Sequence, residues 1–136
     1  MKAAASLIRF STYQVEVLQK RLAEVVERRE LALMALAILE AEGEAEAMRA
    51  KDNAEAGWYM IGYRQGLKMR TDTAQAKIDA AVLEEIGARD ALSAAFEDLK
   101  KYEHVDANAK AAARALERKR EIADLDELGL RRAARR

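Results

Sequence analysis

The chain has 136 residues and a mass of 15.2 kDa, and its 24 Lys and Arg residues balance its 24 Asp and Glu residues. It contains no Pro and no Cys, 35% of its residues are charged and 5% are aromatic. This composition excludes disulfide and thiolate chemistry, and it favours long helices over a turn-rich domain with a large core. The zero net charge gives no global attraction to nucleic acid or anionic lipid.

The amino-terminal residues do not have the pattern of a targeting or membrane segment. Lys2 gives a basic start, but Arg9 interrupts the apolar run that follows, which is too short for a signal peptide. No window approaches the roughly 18 apolar residues of a membrane span. We therefore expect a soluble, cytoplasmic protein.

Apolar residues three or four positions apart predict a first amphipathic helix over residues 4–50. Residues 31–39 are apolar on all sides, which predicts the most buried or most shared part of this helix. Residues 40–46 should be a soft turn of helix, because glutamates repel at i,i+4 and Gly43 costs roughly 1 kcal/mol relative to Ala. The expected seam residues are Ile8, Val15, Leu18, Leu22, Val25, Val26, Leu33, Leu36 and Leu39.

The chain should reverse in residues 51–57, with residues 66–73 as the alternative. Helical spacing runs from Met60 onward with one lapse at Arg89, and a turn at 66–73 would break it. Gly62 and Gly66 then lie inside the second helix, where their small–x–x–x–small spacing suggests close helix approach. The seam residues expected there are Met60, Tyr63, Leu67, Thr71, Ala74, Ile78, Ala81 or Val82, Ile86, Leu92, Phe96, Leu99 and Tyr102.

These elements predict an all-α fold, an antiparallel two-helix coiled-coil hairpin with an extended C-terminal helix. A fold point near residue 54 places Leu7 opposite Lys101, so the first helix runs out near Val105. Helix 2 should span about 58–128 and project beyond helix 1 by roughly 35 Å, with a basic frayed tail at 129–136. We expect residues 1–136 to form a single coiled-coil unit whose projecting helix is ordered by a partner.

No residues with catalytic or cofactor-binding spacing are found. His104 lacks a Glu three positions earlier, where Lys101 stands, so the two-ligand helical metal motif is not met. Ser93 and His104 lie about 16 Å apart along a helix, too far for a nucleophile and its base. The glycines match no phosphate-binding loop. We expect no enzyme activity, cofactor or metal.

Two regions are candidate binding surfaces. The aromatic cluster from Trp58 to Tyr63 is either a small capping core at the chain reversal or an exposed docking surface. The basic end, from Arg114 to Arg136, is either a solvated face or the site of an acidic partner. Nucleic acid is less favoured, because no groove-reading motif or aromatic platform accompanies these arginines.

Four segments together resemble the FliJ family of flagellar export proteins and their injectisome counterparts, the coiled-coil stalks of type III secretion ATPases. They are residues 15–30, the aromatic pair Trp58 and Tyr59, residues 96–103, and residues 117–132 with the ending Leu-Asp-Glu-x-x-x-Arg-Arg. The resemblance implies a non-enzymatic stalk similar to a rotary ATPase rotor. Its partners would be a hexameric export ATPase, an export gate protein and export chaperones, and it would associate with the membrane export apparatus through those partners only.

The resemblance also implies which residues make these contacts. The ATPase-facing residues would be Arg118, Arg120, Leu125, Asp126, Glu127, Arg131 and Arg132. The residues facing the export gate or another partner would be Trp58, Tyr59, Tyr63 and Leu67.

Two other hypotheses compete with the stalk. A holdase-like chaperone or adaptor would bind clients through the aromatic cluster. A self-associating coiled coil would use the apolar residues 31–39.

Overall fold

The fold consists of two helices. The computed structural model describes residues 2–53 and 55–135, in which α1 (Lys2–Lys51) is followed by α2 (Ala56–Ala134). Both helices are rich in Ala, Leu, Glu, Arg and Lys, which are strong helix formers. They run antiparallel and pack against each other, which confirms the predicted all-α two-helix hairpin.

The chain reverses immediately after α1. The backbone amides of Asp52 and Asn53 donate to the carbonyls of Arg49 and Ala50, at 3.3 and 3.4 Å. The Asn53 side-chain oxygen accepts from the Glu55 amide at 3.1 Å, which satisfies one of the free donors at the start of α2. The alternative turn at residues 66–73 lies inside α2.

Contacts divide the chain into two units. The hairpin unit is Glu16–Ser93, and the terminal unit is Met1–Val15 with Ala94–Arg136. In the hairpin unit, buried and half-buried residues mostly alternate at spacings of three and four, the heptad pattern of a coiled coil. The α1 seam comprises Leu18, Leu22, Val25, Arg29, Ala32, Leu36, Leu39, Gly43, Glu46 and Ala50. The α2 seam comprises Met60, Tyr63, Leu67, Thr71, Ala74, Ile78, Ala81, Glu85, Ala88 and Leu92.

Several large apolar residues predicted for the seam lie beside it. Leu33 is 47% exposed and Ile86 is 53% exposed, and in the terminal unit Phe96 is 37% exposed. At these three places the seam holds the preceding small or charged residue instead, and the apolar residue that follows points outward. Residues 31–39 are therefore not the most buried part of α1, and the alternative, that they are its most shared part, stays a prediction.

The helices of the hairpin unit are paired about one turn away from the predicted register. Arg28 pairs with Glu84 and Glu42 with Arg70, whereas the expected opposite positions were 80 and 66. Continuing the observed offset places Lys51 opposite residue 61. The difference arises because α2 begins at Ala56 and forms its first turn before it reaches α1.

In the terminal unit, the amino-terminal part of α1 packs on a short part of α2. The α1 residues that face α2 are Ala4, Ile8, Ser11 and Val15, and the α2 residues are Ala95, Leu99, Tyr102, Asp106 and Ala109. The seam thus reaches Ala109, one turn beyond the expected end near Val105. Helix α2 continues to Ala134, past the end expected near residue 128, so most of the predicted frayed tail is helical. Arg136 lies outside the described residues.

One glycine in the hairpin unit lies close against the opposite helix. A Cβ added at Gly43 would lie 2.5 Å from Cδ2 of Leu67, so the Leu67 side chain would have to shift to admit a larger residue there. A Cβ at Gly62 or Gly66 would meet nothing within 4 Å. The predicted close helix approach at Gly62 and Gly66 was therefore wrong.

This difference predicts opposite responses to two Gly→Ala substitutions. Gly62→Ala should raise the free energy of unfolding by about 1 kcal/mol, because Ala has the higher helix propensity and meets no neighbour. Gly43→Ala should gain less or lose stability, because the new methyl group displaces Leu67. Urea denaturation followed by circular dichroism measures both, and an equal gain for the two variants would contradict the packing at Gly43.

Candidate partner-binding surfaces

The carboxyl-terminal segment, defined here as residues 110–135, is a long stretch of helix without burial. All of its residues are exposed. The segment would extend about 37 Å at 1.5 Å per residue. Because most helical stability in proteins comes from packing an apolar face, such a helix needs a partner to hold it in one conformation.

One face of this segment carries three of its five large apolar residues, and the other two, Leu116 and Leu130, lie on the opposite side. Ile122, Leu125 and Leu128 follow one another at three-residue spacing and are 59%, 66% and 52% exposed. Arg118 and Arg132 lie seven residues before and after Leu125, so they flank the same face. A mixed apolar and basic face of this kind suits a partner that has an apolar pocket with acidic groups beside it.

The predicted ATPase-facing residues do not all share this face. Arg118, Leu125 and Arg132 do, whereas Arg120 and Glu127 lie on the opposite side. Arg131 stacks one turn beyond Glu127 and forms an ion pair with it at 3.0 Å, and Asp126 lies between the two faces. Sequence reasoning missed Ile122 and Leu128, although their three-residue spacing from Leu125 was a usable signal.

The aromatic start of α2 divides between exposed and buried side chains. Trp58 is 81% exposed and Tyr59 is 56% exposed. Tyr63 and Leu67 are half-buried in the seam, and the Tyr59 ring stacks on that of Tyr63 with 6.2 Å between ring centroids. Met60 is 5% exposed, so it is the buried side chain of this aromatic cluster. Of the four residues predicted to face the export gate, Trp58 and Tyr59 are the two most available to a partner.

A shallow groove runs along one side of the hairpin unit between α1 and α2. It consists of two adjoining cavities of about 620 and 460 Å³ that share Ala32, Ala35 and Lys77. Three large side chains border it, Leu31, Ile38 and Met69, and they are 57%, 56% and 73% exposed. Sequence reasoning placed no groove here, because all nine residues from Leu31 to Leu39 are apolar and the run does not show which of them face outward.

A charged cluster lies in the seam close to the groove. The Glu85 side chain is buried and accepts from Arg89 at 2.8 Å and from Arg29 across the hairpin. The hydrogen bond from Arg89 holds the pKa of Glu85 below its usual value, and the positive charges of Arg29 and Arg89 act in the same direction against the effect of burial. This carboxylate therefore stays ionised and links the two helices in a defined register.

Two further features, a metal site and a membrane-spanning helix, are absent from residues 2–53 and 55–135. In this part of the chain, no three His, Asp or Glu side chains are grouped so that they could hold a metal ion. Neither of the two described helices contains a stretch apolar enough to cross a membrane.

The fold and these surfaces define a two-helix coiled-coil protein with exposed surfaces suited to protein partners. The chain is 56% identical over 133 residues to the Flagellar FliJ protein of Caulobacter vibrioides, in strain NA1000 / CB15N and in strain ATCC 19089 / CIP 103742 / CB 15. The match covers 98% of this chain and 96% of each relative. This chain belongs to the FliJ family of flagellar proteins. No protein-family model matches it, and no solved structure does.

The buried carboxylate predicts how stability depends on pH. Because the folded-state pKa of Glu85 is depressed, the folded state binds fewer protons than the unfolded state in acid. The stabilisation is present above the ordinary pKa of about 4.5 and is lost as the pH falls through the lower folded-state value. Urea denaturation of the wild type between neutral and acidic pH should show this loss.

Glu85→Gln should lower stability at neutral pH and flatten its dependence on acidic pH. The neighbouring Glu84→Gln is the matched control, because Glu84 is exposed and its ion pair with Arg28 contributes little. Equal effects of the two substitutions would show that the seam carboxylate has no special role.

Proposed function

We propose that this chain is a non-enzymatic stalk in flagellar protein export. Its carboxyl-terminal segment contacts a hexameric export ATPase, and the aromatic start of α2 contacts the export gate or export chaperones. The protein acts in the cytoplasm and reaches the membrane export apparatus through these partners only. Membership of the FliJ family supports the flagellar setting of this proposal.

The observation that carries the proposal is the exposure of every residue from 110 to 135 in a helical segment. The apolar face of Ile122, Leu125 and Leu128 has no packing partner among the described residues. Burial of such side chains stabilises by roughly 1.5–3 kcal/mol each. An ATPase pocket that covers them therefore binds the segment more tightly and orders its helix at the same time. The flanking Arg118 and Arg132 supply charge for acidic groups around that pocket.

The aromatic start of α2 supports the second part of the proposal. A Trp side chain that is 81% exposed leaves a large apolar area in water, and Trp is frequent among the residues that dominate binding energy. Tyr59 lies next to it and is held by stacking on Tyr63, so the surface is partly preorganised.

Substitution of one apolar residue tests the ATPase contact. Leu125→Glu should weaken binding to the cognate ATPase about tenfold or more and remove stimulation of its ATP hydrolysis, because a carboxylate cannot be buried without a partner. Ala123→Glu is the matched control: it adds the same charge two residues away on another face. Hexamer formation and ATP hydrolysis are measured with purified proteins.

The stalk proposal is overturned if the wild-type protein changes neither hexamer formation nor hydrolysis. Equal loss for Leu125→Glu and Ala123→Glu would show that the apolar face is not the contact. Circular dichroism of both variants establishes that the helices are retained.

A second candidate function, a holdase-like chaperone or adaptor, is favoured by the exposure of Trp58. It predicts that Trp58→Ala abolishes binding of export clients while Leu125→Glu leaves it unchanged. Trp58→Ala should not lower the stability of the hairpin, since the side chain is mostly in water. The reverse ranking of the two variants in a client pull-down would reject this function.

A further inference from the structure

The groove of the hairpin unit has a floor of small residues. Ala32 and Ala35 of α1 face Ala74 and Ala81 of α2, with Thr73 and Ala80 beside them. A two-helix coiled coil usually lines the two sides of its seam with long charged residues. Small residues at these positions leave space for further helices to approach the backbones closely, and the exposed side chains of Leu31, Ile38 and Met69 form an apolar rim.

An ion pair between the helices marks each end of the groove. Arg28 and Glu84 lie 3.2 Å apart at one end, and Glu42 and Arg70 lie 3.8 Å apart at the other. The ends are two heptads apart on each helix, about 21 Å at 1.5 Å per residue. The groove is therefore long enough for about four helical turns.

The charges at the two ends are related by an approximate two-fold axis through the middle of the groove. Exchanging α1 and α2 about this axis places Arg28 on Arg70 and Glu42 on Glu84. Each corner therefore has a charge of opposite sign beside it, both across and along the groove, which is the pattern that a self-complementary two-fold interface requires.

A second copy laid face to face on the groove has opposite charges at all four corners. If both hairpin units point the same way, Arg28 lies over Glu84 of the second copy and Glu42 lies over its Arg70. If they point in opposite directions, Arg28 lies over Glu42 of the second copy and Glu84 over its Arg70.

Lys77 distinguishes the two directions. Lys77 lies midway along the groove and opposite Ala35. With the hairpin units in the same direction, Lys77 lies over Ala35 of the second copy, whereas in opposite directions it lies over the second Lys77. Like charges face to face at an interface are unfavourable, so the same direction is favoured.

We propose that this groove is the interface for a second copy of the chain, in which two hairpin units pack in the same direction as a four-helix arrangement. Only three large exposed apolar side chains of each copy border the groove, so we expect the association to be reversible. The proposal uses residues 28–42 and 69–84 only, so it stands or falls independently of the contacts proposed for residues 110–135.

Sedimentation equilibrium of the full chain tests the interface. The wild type should be a dimer that dissociates on dilution. Ala35→Arg should raise the dissociation constant at least about tenfold, because a bulky cation enters the groove against Lys77 of both copies. Ala37→Arg is the matched control, since Ala37 is also exposed on α1 but does not line the groove, and it should dimerise as the wild type does.

A charge exchange tests the direction. The double variant R28E/E84R keeps an ion pair within the chain, and in the same-direction dimer it should self-associate as tightly as the wild type. It should not form mixed dimers with the wild type, because like charges then face each other at that end. Loss of self-association in this variant would overturn the same-direction arrangement.

Two other results would overturn the interface itself. One is a wild-type chain that stays monomeric at every concentration measured. That result would also be found if the groove instead binds a helix of another protein. The other is a dimer that Ala35→Arg leaves unchanged. Circular dichroism of each variant confirms that the hairpin is folded.

Discussion

The heptad seam between α1 and α2 is the constraint on which the rest of the hairpin unit depends. It is mainly apolar, and at Gly43 the helices approach so closely that a single added methyl group would displace the side chain of Leu67. The buried Glu85 bridges Arg29 and Arg89 and links one helix to the other. Close packing and a paired charge together set which residues face each other, because a shift of one turn would separate the buried Glu85 carboxylate from Arg29 of the other helix.

That register determines which side chains remain available. Since the seam takes up only one face of each helix, the large apolar residues Leu31, Ile38 and Met69 lie outside it and border the groove. Since α2 makes its first turn before it meets α1, Trp58 and Tyr59 remain exposed. In the terminal unit the seam ends at Ala109, and the helix beyond it is exposed throughout. Each candidate surface is thus a consequence of where the seam places its residues.

Much of the fold could be predicted from the sequence, since the absence of Pro and the spacing from Met60 onward indicated two long helices and the turn. The register could not, because Leu33 and Ile86 are more apolar than the Arg29 and Glu85 that occupy the seam, and only a cross-helix ion pair favours the latter. The aromatic surface was predictable from Trp58. The groove was not, because its symmetry depends on which residues of α2 lie opposite α1.

The central claim is that residues 110–135 form the surface ordered by the export ATPase. Hydrogen exchange of the backbone amides measures this ordering directly. The account predicts fast exchange in this segment of the free protein and marked slowing when the cognate ATPase is added, strongest around Leu125. Exchange in residues 110–135 that is unchanged by the ATPase, under conditions where the two proteins bind, would contradict it.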